Sequence, residues 1–342
     1  MKKNIRDLTY TALEEQLQEM GEPRFRVKQV FPWIYKEIDS FDEMRNIPQS
    51  LRGKLAEKFV LHDIKIKEKY ISKIDETRRY LLQLGDGNFV ESVLMKYKHG
   101  YSICISSQVG CAMGCAFCAS TRCGKVRNLS AGEIIDQVAA VQRDLGCRIN
   151  NIVMMGIGEP LDNFENVMVF LENVNHPLGL AVGHRHITLS TCGIVPKILE
   201  LAEKELQITL SVSLHACSNE KRSAIMPVNR KYPIEELLEA CRYYIGKTNR
   251  RISFEYTLIQ GVNDSEQEAE KLLRLVRGML CHVNLIPVNP VKETGFAAGS
   301  RAGIERFQHV LTEGGISATI RREMGRDISA ACGQLRSQRL EV

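Results

Sequence analysis

The chain has 342 residues, 44% hydrophobic and 25% charged, with a formal net charge of +5. That composition excludes a disordered chain, and the lack of any apolar run of about eighteen residues excludes a helical membrane protein. The mild positive charge permits a polyanionic partner without demanding one.

The N-terminus, MKKNIRDLTYTALEEQ, has no signal-peptide apolar region, so a cytoplasmic location is expected. To about residue 60 the pattern is short and helical, broken at GEP (21–23) and IPQS (47–50). The period then changes to two. RRYLLQL and FVESVLM flank GDGN, which predicts a hairpin, and YSICISS follows as another strand. SAGEIIDQVAAVQRDLG opens with Ser130 and carries Glu133 three residues on, a capping-box helix start. From there apolar strands (NNIVMM, HITLST, ITLSVSL, RISFEYTLI, CHVNLIPV, ISATIRRE) alternate with amphipathic helices. That alternation predicts βαβ units on a parallel sheet.

About six units are too few for a closed eightfold barrel, so the expected fold is α/β, a partial (β/α)6 TIM-like barrel open on one side. The expected organisation is a helical accessory domain over 1–75, a β-hairpin extension over 76–96, the barrel over 97–330 and a tail over 331–342. Chemistry in such barrels sits on the loops after the strands. The cysteine loop, GIGEP, STCG, HA and NP all fall there.

GCAMGCAFCAS places Cys111, Cys115 and Cys118 within eight residues. Eleven cysteines in a chain without a secretory signal suggest metal binding, catalysis or core packing rather than structural disulfides. Three thiols so close on a loop suit zinc or an iron–sulfur cluster. Zinc would need a fourth ligand, such as Cys104, Cys123 or His215. A GxG such as GIGEP is by itself no more than a turn signal.

The CxxxCxxC spacing after the first barrel strand, with Phe117 just before Cys118, resembles the radical S-adenosylmethionine superfamily. The resemblance implies a 4Fe–4S cluster on Cys111, Cys115 and Cys118, whose remaining iron chelates S-adenosylmethionine. It also implies that Gly158 and Glu159 of GIGEP meet the methionine amino group.

Five further motifs follow in order: STCGIVP, SLHA, FEYTLIQGVND, VNLIPVNP and TIRREMGRDISAACGQL. Together they resemble the RlmN/Cfr family of adenine methyltransferases that modify ribosomal RNA, over about residues 85 to 335. Carbon 2 of adenine is electron-poor and cannot attack a sulfonium methyl group, whereas a carbon radical can add to it. The resemblance implies two molecules of S-adenosylmethionine per turnover. Cys332 takes a methyl from the first, and the second supplies the radical that activates it. Addition links Cys332 to RNA, Glu91 accepts the proton, and Cys104 resolves the adduct by forming a disulfide. Ser190, Ser213, Leu214, His215 and Asn289 are implied contacts of the ribose and methionine parts.

The residues alone leave two of these open. Ser102, Cys104 and Ser106 share one strand face, which suits a site, but a small buried thiol is equally compatible. Glu91 interrupts the row Phe89, Glu91, Val93, and the residues alone favour an exposed face there. Arg321, Arg322, Arg326, Lys96, Lys98, Lys125 and Arg127 could meet phosphates, though such density usually marks solvated surface. Cys123, Cys147, Cys192, Cys217, Cys241 and Cys281 are expected in the core.

The partners implied are 23S ribosomal RNA and transfer RNA, with an electron donor such as flavodoxin or ferredoxin, no membrane, and a monomeric chain. Two other readings compete: methylation at carbon 8 of adenosine, and a zinc-stabilised RNA-binding protein without catalysis. Pro160 in GEP, FEYTLI and Pro287 in IPVNP favour carbon 2 over carbon 8.

Overall fold

The computed structural model describes residues 2–291 and 293–336, so 337–342 of the expected tail lies outside the described residues. Ten strands form one sheet. Seven run parallel and in chain order: Gly100–Cys104, Asn151–Met154, Ile187–Thr191, Thr209–Ser213, Ile252–Leu258, Cys281–Pro287 and Ala318–Ile320. Helical crossovers join each to the next, so the expected six βα units are present and a seventh strand completes the series. The sheet stays open between its two edge strands, Ala318–Ile320 and Ile64–Ile71. Three antiparallel strands extend it: Phe89–Tyr97, Arg78–Leu84 and Ile64–Ile71. The extension thus contains one strand more than the predicted hairpin.

Strand alternation separates two environments. Leu189, Leu210, Val212, Phe254 and Leu285 are fully buried in the main apolar core with Val138, Phe170 and Leu272 of the crossover helices. Thr188, Thr209, Ser211, Ser253, Glu255 and Asn284 line a polar space inside the barrel. The sheet is therefore apolar toward its helices and polar within.

The helix Ala131–Leu145 begins as the sequence predicts. Ser130 accepts the N–H of Glu133, and the Glu133 carboxylate accepts that of Ser130. It ends at Gly146, whose φ of 69° closes the last turn. This helix also holds the N-terminal segment. Asp136 pairs with buried Arg6 and accepts from Asn4 Nδ2 at 2.7 Å and from the N–H of Asp63 at 3.0 Å. Residues 5–61 have their own apolar core, including Leu13, Phe31, Leu51 and Leu55. Among the described residues, no helix is long and apolar enough to cross a membrane.

Candidate active site

The cysteine loop leaves the Gly100–Cys104 strand through Gln108–Gly110, a short strand paired with Lys125–Asn128. Cys111, Cys115 and Cys118 line one cavity of about 930 Å³, counting its open mouth. The loop is braced from several sides. Thr121 Oγ1 donates to the carbonyls of Cys115 and Cys118, and Ala116 N–H donates to Ile225. Gly333 of the tail accepts the N–H of Ala119 at 2.7 Å. Burial pushes all three thiols up, Cys111 to about 12, so bare thiolates are disfavoured there.

The same cavity is lined by residues at the carboxyl ends of the strands: Gly158, Glu159, Ser190, Ser213, His215 and Asn289. At Gly158 φ is +107°, and a Cβ would stand 2.6 Å from that of Gln108, so only glycine fits. Glu159 is buried, and its carboxylate accepts the N–H groups of Leu161 at 3.0 Å and Cys192 at 2.7 Å. Its side chain thus ties GIGEP to STCG. His215 Nδ1 accepts the N–H of Thr257 at 2.9 Å, and Phe117 packs edge-on at 4.9 Å. Burial lowers the imidazole to about 3, so it is neutral. Leu214 does not line the cavity. Its side chain is in the core, its N–H donates to Glu255 and its carbonyl accepts Arg222 Nε.

A second cavity, about 1260 Å³ counted the same way, adjoins the first. Cys332 and Asn289 line both cavities, and Asn289 Nδ2 donates to the Cys332 carbonyl at 2.9 Å. Cys104 lines the second, packed with Val93, Met324 and Leu335. Burial pushes its thiol up to about 12, and Cys332 adds to the effect. Both thiols are free. Arg321 also borders both cavities. Its Nη1 is 3.8 Å from Glu255, which Ser211 Oγ and Asn284 Nδ2 hold at 2.6 and 2.8 Å.

Glu91 is buried, not exposed as its residue row alone would favour. It shares the strand face of Val93, which lines the second cavity opposite Cys104 in register, but is not itself part of either lining. Arg79 Nη1 is 3.3 Å away and the N–H of Arg336 donates to it at 2.7 Å. Burial outweighs both and raises the carboxyl to about 6.

The model of the radical SAM superfamily matches residues 105–273, and that of the ribosomal RNA large subunit methyltransferase N-terminal domain matches residues 3–61. A Clostridium perfringens protein named "Probable dual-specificity RNA methyltransferase RlmN" is 58% identical over 98% of this chain and 96% of its own. A protein of the same name from Clostridium beijerinckii is 59% identical over 97% and 94%. The crystal structure of a radical SAM methyltransferase from Sphaerobacter thermophilus superposes with a TM-score of 0.94 at 46% identity, covering 98% of this chain and all of that one. This chain belongs to the RlmN family of radical SAM RNA methyltransferases.

Membership of the RlmN family implies a 4Fe–4S cluster and S-adenosylmethionine, and the residues present fit them. Among the described residues, no three His, Cys, Asp or Glu side chains are grouped as for a single metal ion. The three thiols instead surround a space, which suits a multi-atom cluster, and iron would relieve the cost of burying thiolates. Of the proposed fourth zinc ligands, only His215 lines this cavity. Cys104 lies in the next one and Cys123 is exposed. The zinc-stabilised, non-catalytic reading is set aside by family membership.

Two other expectations change. Cys123 and Cys147 are exposed rather than in the core, whereas Cys192, Cys241 and Cys281 are buried and Cys217 is half-buried. Arg321 is a cavity residue, while Lys96, Lys125 and Arg127 are committed to Glu76, Asp162 and the Glu133–Asp86 pair. Sequence reasoning missed Arg222. It is fully buried and donates to the carbonyls of Cys192, Ser213 and Leu214, locking STCG to SLHA. It also missed Glu255, for which a lone carboxylate inside the strand FEYTL was the available signal.

Proposed function

We propose that this RlmN-family enzyme methylates carbon 2 of an adenosine in 23S ribosomal RNA and in transfer RNA. The intermediate is S-methyl-Cys332, and two molecules of S-adenosylmethionine are used per turnover. The observation that carries this reading is the position of Cys332 on the boundary of two cavities, one with the cluster cysteines and the other with Cys104. A single sulfur there can meet a methyl donor from one side and an RNA base from the other. The high identity to dual-specificity relatives along the whole chain supports carbon 2 over carbon 8.

Cys111, Cys115 and Cys118 would hold the cluster, with Gly158, Ser190, Ser213, His215 and Asn289 around S-adenosylmethionine. Glu159 acts through the loop it braces, and Leu214 through its backbone position. When bound, the cluster and its ligand supply a one-electron carbon–sulfur cleavage that gives a carbon radical. The chain does the rest. Asn289 fixes the Cys332 carbonyl and thereby aims Sγ, and Arg321 lines both cavities beside it, placed to steady the sulfur during methyl transfer. After Cys332 is joined to the base, Glu91 takes the proton from the attacked carbon. Cys104 Sγ then attacks Cys332 Sγ: the S–S bond forms as the bond from Cys332 Sγ to the methylene carbon breaks, and the Cys104 proton goes to that carbon. The one electron left by radical addition passes to a one-electron acceptor such as oxidised flavodoxin or ferredoxin, and methylated RNA is released. External thiol and a reductant such as flavodoxin or ferredoxin reset the enzyme, which we propose acts as a cytoplasmic monomer.

The test is anaerobic purification with iron and sulfide analysis, then assay on unmodified 23S RNA with mass spectrometry of the product nucleoside. The expected result is about four irons per chain and 2-methyladenosine. Methyl at carbon 8, or on an RNA treated with Cys332→Ala enzyme, would overturn it.

A further inference from the structure

The Phe89–Tyr97 strand directs Val93, Met95 and Tyr97 along one face, and all three line the Cys104–Cys332 cavity. Tyr97 is the outermost. It pairs with Gly100 across a two-residue turn, Lys98–His99, so it stands at the cavity's rim. The residue is 40% exposed, and one face of its ring is stacked on the His99 imidazole, 5.2 Å between centroids and 8° from parallel. Its hydroxyl is turned onto Met95 Sδ at 3.6 Å.

The strand that follows this turn is anchored. Gly100 has φ +114°, and a Cβ there would meet Asn150 Oδ1 at 2.2 Å. That same oxygen accepts the N–H of Tyr101 at 3.1 Å. A half-exposed ring already packed on His99 and Met95 has less freedom to lose on binding. The rim around it is cationic. Arg322 and Arg326 line the cavity and are exposed, Lys98 is exposed on the turn, and Arg321 lies deeper. Glu323 is the acidic member, 3.9 Å from Arg326.

Flat aromatic surface ringed by cations is what single-stranded RNA recognises: bases stack on the ring and phosphates meet the charges. We propose that the Tyr97–His99 pair is a nucleobase platform, on which an unpaired base of the RNA substrate stacks at the mouth of the Cys104–Cys332 cavity. Lys98, Arg322 and Arg326 then meet the flanking phosphates. The inference rests on the proposed RNA methylation and adds the surface that receives the strand. Stacking needs an unstacked base, so the platform selects RNA in which the base beside the target adenosine is already free of its helix.

The experiment is steady-state methylation by cluster-loaded enzyme of an unmodified 23S RNA fragment, with 2-aminopurine beside the target adenosine in a parallel binding assay. Tyr97→Ala should raise KM for RNA roughly tenfold to a hundredfold and weaken the fluorescence quench on binding. Tyr97→Phe should keep both near wild type, and KM for S-adenosylmethionine should not move. His99→Ala, a second route should Tyr97→Ala fail to fold, should raise the RNA KM by a smaller factor. Wild-type KM and quench in Tyr97→Ala, or equal losses in Tyr97→Phe, would overturn the platform. Wild-type enzyme that methylates no RNA would instead overturn the proposed function itself.

Discussion

Glu91 accepts the backbone N–H of Arg336 at 2.7 Å, which ties the strand of the proposed proton acceptor to the tail that carries Cys332. The tail is fixed nearby as well: Ser120 Oγ donates to the Leu335 carbonyl at 2.8 Å, and Arg336 pairs with Glu293. Closure of this segment keeps water from Glu91, and burial raises its carboxyl from 4.5 to about 6. A base must be ionised to act. The raised value means that the active form is lost at a higher pH than for an ordinary carboxylate. Release of methylated RNA should therefore fall about tenfold per pH unit below about 6 in single-turnover assays. Glu91→Gln keeps the acceptor for Arg336 but removes the base, and should slow release by about a hundredfold or more. A flat profile in wild type would remove Glu91 from the proton transfer.

Cys104 sits in a packed, apolar wall, and its thiol is pushed up to about 12. Burial thus disfavours its thiolate, and Arg321 opposes that effect. Cys104→Ala should leave RNA covalently attached to Cys332, seen as a gel-shifted band that survives denaturation. Free, methylated RNA at the normal rate from this variant would exclude Cys104 as the resolving thiol.

These two residues also mark how far the sequence can be read. Local signals carried the architecture. The Ser130–Glu133 capping box, the period change near residue 65 and the strand-to-loop position of each motif all reappear in three dimensions. They did so because hydrogen-bonding and amphipathic patterns act over a few residues. Burial of Glu91 was not readable, since it depends on a tail contact 245 residues away. Arg222 gave no sequence signal, because the carbonyls that surround it come from other strands' ends. Arg321 read as surface for the same reason. Its partner Glu255 lies on another strand.

Arg321 gives the third expectation. Its guanidinium is pushed up by Cys332 first and by Glu255 after it, and all three residues line the first cavity. Arg321→Met should slow the transfer of the first methyl to Cys332 by roughly tenfold, the equivalent of about 1.4 kcal/mol. Mass measurement of the intact chain after incubation with S-adenosylmethionine, without RNA, isolates that step. Glu255→Gln should slow it less, because Arg321 keeps its charge but loses a fixed partner. Equal rates in wild type and Arg321→Met would assign Arg321 to another task.

Arg222 should matter first for stability. Burial lowers its guanidinium to about 10, still ionised at neutral pH, and five acceptors surround it: the Leu214, Cys192, Ser213 and Tyr232 carbonyls and Asn229 Oδ1. Arg222→Met fills similar space but strands several of these acceptors, at a cost of about 3 kcal/mol. For a chain of this size Tm should drop by about 4 °C, measured by calorimetry on the cluster-loaded enzyme. The abandoned carbonyls belong to the loops of Ser190, Ser213 and His215, so KM for S-adenosylmethionine should rise well below the melting temperature. KM for RNA should stay near wild type, because the Tyr97 rim lies on the far side of Cys332 and shares none of these acceptors. A variant that melts early yet keeps its S-adenosylmethionine KM would confine Arg222 to holding the fold together.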